Sequence, residues 1–157
     1  MPLSAPAALS PDPGIDHPIP FWKRRWFLAL ILLALTITVY WQVVGFKFID
    51  WDDWQLLSEN KDFSPVNWSH IGGYWLHGYT ELYAPLSYTL WAAIAWVEQY
   101  LTHRIALSPG VFHLANLLVH LAASQIVFLL LYRLLDRGWP ALVGAIVFAL
   151  HPLQVEA

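Results

Sequence analysis

Nineteen residues without a formal charge, Trp26 to Val44, follow directly on Lys23-Arg24-Arg25. As a helix rising about 1.5 Å per residue they would reach about 28 Å, close to the hydrocarbon thickness of a bilayer. A cleaved signal peptide would have a shorter apolar region ending in a small-x-small site, and Gly45-Phe46-Lys47-Phe48 offers none. The stretch therefore reads as an uncleaved span, with Trp26 and Trp41 near its two interfaces. A second uncharged run, Val111 to Tyr132, is closed by Arg133, Asp136 and Arg137, and a third starts at Trp139-Pro140 and runs to about residue 155. These runs predict an all-α integral membrane protein with three transmembrane helices, over about 26–44, 111–132 and 139–155.

Composition agrees: 12% of residues are charged against 58% hydrophobic, where a soluble domain carries about a quarter charged. No cysteine is present, which removes disulfides, thiolate metal sites and cysteine nucleophiles. The net charge of −3 leaves no basic stripe for a phosphate backbone, so nucleic acid is not an expected partner and the lipid bilayer is. Residues 1–22 are rich in proline and poor in bulky apolar side chains, and read as a disordered cytoplasmic tail before a membrane domain over 23–157.

Lys and Arg near span ends fix orientation, because positive segments stay in the cytoplasm. Arg133 and Arg137 join the first basic cluster on one side, which puts the amino terminus inside and the loop 45–110 outside. Within that loop, Leu82 to Val97 is too short to span comfortably, and a crossing there would place Arg133 and Arg137 outside. It is expected to lie in the outer interface as a helix, starting at Pro85, with Trp91 and Trp96 at headgroup level. The chain stops at Ala157 without a polar tail, which reads as a piece of a larger helical bundle, not expected to be active alone.

The outer loop opens with Asp50-Trp51-Asp52-Asp53-Trp54, a few residues past the first span. Carboxylates beside low-dielectric lipid suit a general base or a cation ligand; a solvated acidic segment is the plainer alternative. Neighbouring Asp52 and Asp53 diverge in either helix or strand, so one would face a substrate while the other orients it or binds a cation. In the second span His113, Asn116, His120 and Ser124 fall on one helical stripe that must face protein or water. The two histidines are too far apart for one ion, and interhelical hydrogen bonding is the simpler role, with His113 set apart by its place at the outer end. His151-Pro152 and Glu156 come to the same outer side, Pro152 opening the third helix there. Six Trp, five Tyr and three Phe between residues 45 and 110 can anchor at headgroups or stack on sugar rings. No phosphate-cradling glycine loop, G-x-S-x-G or H-E-x-x-H occurs.

Four pieces in order, Trp51-Asp52-Asp53 followed by Asn60, Tyr83-Ala84-Pro85-Leu86, His113 to His120 (HLANLLVH), and Phe148 to Glu156 (FALHPLQVE), give the chain a family likeness over about residues 46–157. It resembles the amino-terminal membrane part of polytopic glycosyltransferases of the GT-C superfamily, in particular the transmembrane-and-tetratricopeptide-repeat O-mannosyltransferases and their bacterial relatives. The resemblance implies a sugar donor linked to a polyprenyl phosphate, a protein or glycan acceptor, and transfer on the external face. It implies that Asp52, with Asp53 as second choice, is the catalytic base taking the proton of the acceptor hydroxyl. Asp53 would orient the acceptor or hold a divalent cation; no cofactor is otherwise implied. Tyr83, His113, His151 and Glu156 are the groups expected to meet substrate. The expected setting is a multi-pass bacterial inner membrane, with the loop in periplasm or lumen. A non-catalytic membrane scaffold that binds a partner through its outer loop is the alternative from another class; a transporter is a weaker one, because no charge sits in mid-membrane to mark an ion path.

Overall fold

The computed structural model describes residues 24–49, 54–79 and 82–151. Among them the structure is helical, with two isolated bridges and no strand. The expected tail 1–22, the acidic residues Asp50, Asp52 and Asp53, and Glu156 lie outside the described residues.

Helix α1 (Arg25–Tyr40) continues through a tighter 3-10 turn, Trp41–Gly45, before the backbone becomes extended at Phe46. Helix α2 (Trp68–Gly73) is short and begins at Asn67, whose side chain accepts the His70 N–H. Helix α3 (Pro85–Thr102) and α4 (Pro109–Leu135) each begin with proline at a first-turn position, where a missing N–H costs nothing. Helix α5 (Gly138–Leu150) follows α4 after only Asp136 and Arg137, so the two must run antiparallel side by side. Asp136 makes that reversal with a left-handed backbone, φ 48°, its N–H bonding to Tyr132 O.

Two of these helices, Arg25–Gly45 with its 3-10 turn and Pro109–Leu135, are long and apolar enough to cross a membrane. Only 17% of the apolar window is buried in each. A core helix of a soluble domain would be mostly covered, whereas here Leu30, Val39, Leu118, Val119, Ile126 and Leu130 all face outward. The chain is thus associated with a membrane. Helix α5 is apolar but has 13 residues, about 20 Å of rise, which falls short of the hydrocarbon thickness. The rest of the expected third span, up to about residue 155, lies largely in residues 152–155, outside the described ones.

The bundle holds together by close approach. Leu28 and Leu32 of α1, Phe128 of α4 and Ala141, Leu142, Ala145 and Ala149 of α5 form one buried cluster. The small residues bring α5 close to its neighbours, and a Cβ placed on Gly144 would stand 2.8 Å from a Leu131 methyl. Gln125 donates to Ala29 O at 3.2 Å, tying α4 to α1. At the other end of α4, a Cβ on Gly110 would come 2.8 Å from Val44 O, so the turn after α1 lies directly on the start of α4.

A second cluster, on the side that the charge distribution leads one to expect outside, gathers the segment between the two long helices: Leu57, Phe63, Ile71, Tyr74, Tyr88, Ala92, Ala95 and Phe112. Helix α3 contributes one face of it and runs five residues past the expected limit at Val97. Its continuation is polar but inward: Glu98 is 5% exposed and accepts the Ser108 N–H at 3.3 Å, while Gln99 Nε2 donates to Phe63 O at 2.7 Å. Trp91 is partly buried against this cluster, 5.7 Å from Tyr88, and Trp96 is exposed.

Substitution Gly110→Ala should lower stability by about 1–3 kcal/mol, the usual cost of forcing extra volume into a tight contact. Gly72→Ala, where a Cβ meets nothing within 4 Å, should be neutral or slightly stabilising. Thermal unfolding of the two variants in detergent micelles checks the difference.

Candidate functional site

The described residues on both sides of the acidic run are anchored. Before it, the Phe48 ring lies edge-on to Phe112 at 5.8 Å and to His113 at 6.1 Å, holding the chain to the outer end of α4. After it, a single wide turn, Trp54–Ser58, seats Leu57 in the outer cluster. Asn60 then follows, 3% exposed.

Asn60 is the first member of a polar network. Its Nδ2 donates to the Tyr74 hydroxyl at 3.2 Å, and that hydroxyl donates to Asp62 Oδ2 at 2.6 Å. Asp62 Oδ1 lies 2.8 Å from Nδ1 of His70, whose ring is otherwise exposed. Asn60 Oδ1 also accepts the Asp62 N–H at 3.0 Å, closing a tight turn. Burial, reinforced by the hydrogen bond to Asp62, pushes the Tyr74 phenol well above its ordinary range. Burial also raises Tyr79 and Tyr88, with Asp62 adding to the shift at Tyr79. Three phenols packed ring to ring at 5.1–6.1 Å are therefore held neutral beside Asp62, with Glu59 adding to the shift at Tyr79.

The expected substrate-facing residues fall in separate surroundings. Tyr83 is exposed, and its hydroxyl donates to Trp75 O at 2.9 Å. His113 is half-buried, and its Nε2 is covered without a hydrogen-bond partner. An imidazole nitrogen left in that state costs free energy until a donor or acceptor reaches it. His151 is exposed and ends α5 with extended backbone, φ −71° and ψ 130°, the conformation that a following proline favours.

His120, by contrast, is committed to the bundle. Its Nε2 stands 2.9 Å from Ala149 O, and since a carbonyl only accepts, that nitrogen carries the proton. Its ring also meets Tyr40 edge-on at 5.5 Å and stacks on Phe148 at 6.3 Å, so one side chain joins α1, α4 and α5. Ser124 returns its hydroxyl to His120 O at 2.8 Å. The interhelical role expected of the stripe is met at His120, while Asn116 stays exposed among the described residues. Ala149 thus meets α4 at His120, seven residues or roughly 10 Å along the axis beyond His113.

Among the described residues no three His, Asp or Glu side chains converge as metal ligands. The Asn60–Tyr74–Asp62–His70 network was not legible as a unit, because its members sit in irregular chain with no periodic spacing. In the sequence Asn60 stands out only as the residue that follows Trp51-Asp52-Asp53 in the family likeness.

The chain is similar to protein O-mannosyl-transferases. It is 29% identical over 131 residues to protein O-mannosyl-transferase tmtc2 of Xenopus laevis, covering 82% of this chain and 15% of that protein. Against Tmtc2 of Drosophila melanogaster it is 29% identical over 136 residues, 83% of this chain and 14% of the other. TMTC3 of Homo sapiens is 24% identical over 130 residues, 81% and 14%. The chain thus spans about 15% of the length of the curated relatives it matches. No family model and no solved structure matches it. These relatives are animal proteins and lend no support to the bacterial membrane expected from the sequence.

A phenol whose pKa is higher folded than unfolded keeps its proton where the unfolded chain loses it. Its contribution is complete below the ordinary tyrosine pKa of about 10 and disappears as pH climbs beyond that. Stability should accordingly fall above about pH 10. Tyr74→Phe should cost about 1–2 kcal/mol at neutral pH, from the lost hydrogen bonds to Asp62 and Asn60, and should flatten that alkaline decline. Denaturation followed by tryptophan fluorescence across pH measures both.

Proposed function

We propose that the chain is the amino-terminal membrane portion of a glycosyltransferase that moves a sugar from a polyprenyl-phosphate carrier to an acceptor hydroxyl on the external face. The similarity to O-mannosyl-transferases over four-fifths of the chain carries this reading. In it Asp52 is the general base and Asp53 orients the acceptor or holds a divalent cation. The covered, unpartnered Nε2 of His113 at the outer end of α4 is a supporting observation, since a group arriving from the acidic run or from a donor phosphate would satisfy it.

The proposal includes three spans with the amino terminus in the cytoplasm, because Arg24, Arg25, Arg133 and Arg137 gather at one end of the bundle. It also lays α3 along the outer interface. Leu86, Leu90, Val97 and Leu101 form an exposed apolar stripe opposite the buried Tyr88, Ala92 and Ala95, which suits a helix lying between the outer cluster and lipid. Glu156, Tyr83 and His151 remain the further substrate-facing candidates.

Substitution Asp52→Asn, made in the complete reading frame that carries this segment, should reduce sugar transfer by about 10²-fold or more, the scale of a lost general base, with membrane insertion unchanged. Full transfer would favour the scaffold alternative. Since the chain has no native cysteine, His77→Cys and Asp136→Cys each introduce a single exposed thiol. An impermeant maleimide applied to intact cells or sealed vesicles of known sidedness should label the first from outside and spare the second; the reverse pattern would overturn the orientation.

A further inference from the structure

The end of the bundle away from the acidic run carries a feature that sugar transfer does not use. A cleft of about 400 Å³ opens there between α1 and the start of α5, lined by Leu28, Arg137, Gly138, Trp139 and Pro140. Arg24 and Arg25 begin the same turn of α1, Leu28 N–H bonding to Arg24 O, and Arg133 lies in the last turn of α4. All four arginines are exposed, and Asp136 is the one carboxylate among the described residues at this end. Among the described residues Asp136 makes no ion pair with Arg133 or Arg137.

Depth decides what this charge can meet. The cleft sits where both long apolar helices reach their charged ends, and Trp26 and Trp139 stand half exposed there, as aromatic rings do at headgroup level. A soluble anion would find an open, shallow cleft with few fixed donors. A phospholipid arrives with its phosphate already at this depth and its chains along the exposed apolar sides of α1 and α5, and guanidinium groups grip a phosphodiester through two parallel hydrogen bonds.

We propose that this cleft holds the headgroup of an anionic phospholipid of the adjoining leaflet, with Arg25 and Arg137 as its main contacts. Basic pockets between membrane helices bind acidic headgroups in this way. The site is independent of the outer acidic run and of any catalytic role.

The test uses the full chain reconstituted in bilayers of mixed phosphatidylcholine and phosphatidylglycerol, released in mild detergent, with retained lipid counted by native mass spectrometry. Phosphatidylglycerol should be enriched over its input ratio, and the enrichment should fall about fivefold for each of Arg25→Gln and Arg137→Gln. Arg137→Lys, which keeps the charge, should retain part of it, and Arg104→Gln, in the outer loop, should retain all of it. Excess inorganic phosphate should not displace the lipid. Retention at the input ratio in the unaltered chain, undiminished enrichment in a helical Arg25→Gln/Arg137→Gln variant, or displacement by inorganic phosphate would each overturn the proposal.

Discussion

The outer end of α4 is where two incompatible environments have to be joined. Below Gly110 the helix presents apolar side chains outward; above it the chain must carry polar backbone and carboxylates. Three consecutive devices make the junction. Gly110 lets the Val44 carbonyl lie against the helix, Phe112 enters the outer cluster, and the buried Glu98 carboxylate accepts the Ser108 N–H in front of the first turn. A carboxylate facing the positive end of a long helix is favourably placed, and this one comes from α3. The outer unit is therefore fixed to α4 by packing and by charge together.

That junction explains why the two histidines of α4 behave differently. His120 lies deep enough for α5 to reach it, and it supplies a donor to Ala149 O, one of the carbonyls that a helix end leaves without an internal partner. His113 lies seven residues nearer the start of α4, faces Phe48 and keeps a covered nitrogen without a partner. One imidazole thus completes the bundle, and the other is left beside Phe48 with its nitrogen unpaired. The sequence sets His113 apart only by its place near the helix end, because helical periodicity gives azimuth and not which neighbour is present at each depth.

The two long helices were legible because uninterrupted apolar residues of bilayer length have few alternative uses. Their ends shifted by only a few residues: α4 begins at Pro109 and continues past Tyr132 to Leu135. Helix α3 was legible at its start, where Pro85 marks the first turn, and not at its end. Glu98 and Gln99 look like the exit to solvent, yet both turn inward to satisfy backbone groups of the loop. The Asn60–Tyr74–Asp62–His70 network depends on a fold of irregular chain that no local pattern encodes. Asp52, Asp53 and Glu156 fall outside the described residues, so their proposed roles rest on motif likeness and on the similarity to O-mannosyl-transferases.

Placement of the acidic run over His113 is tested most directly by a distance. With no native cysteine to remove, Asp52→Cys paired with His113→Cys gives two specific spin-label sites in the full chain. Pulsed electron paramagnetic resonance in lipid nanodiscs should return one short, narrow distance between them. A long or broadly spread distribution would contradict a site assembled at the outer end of α4.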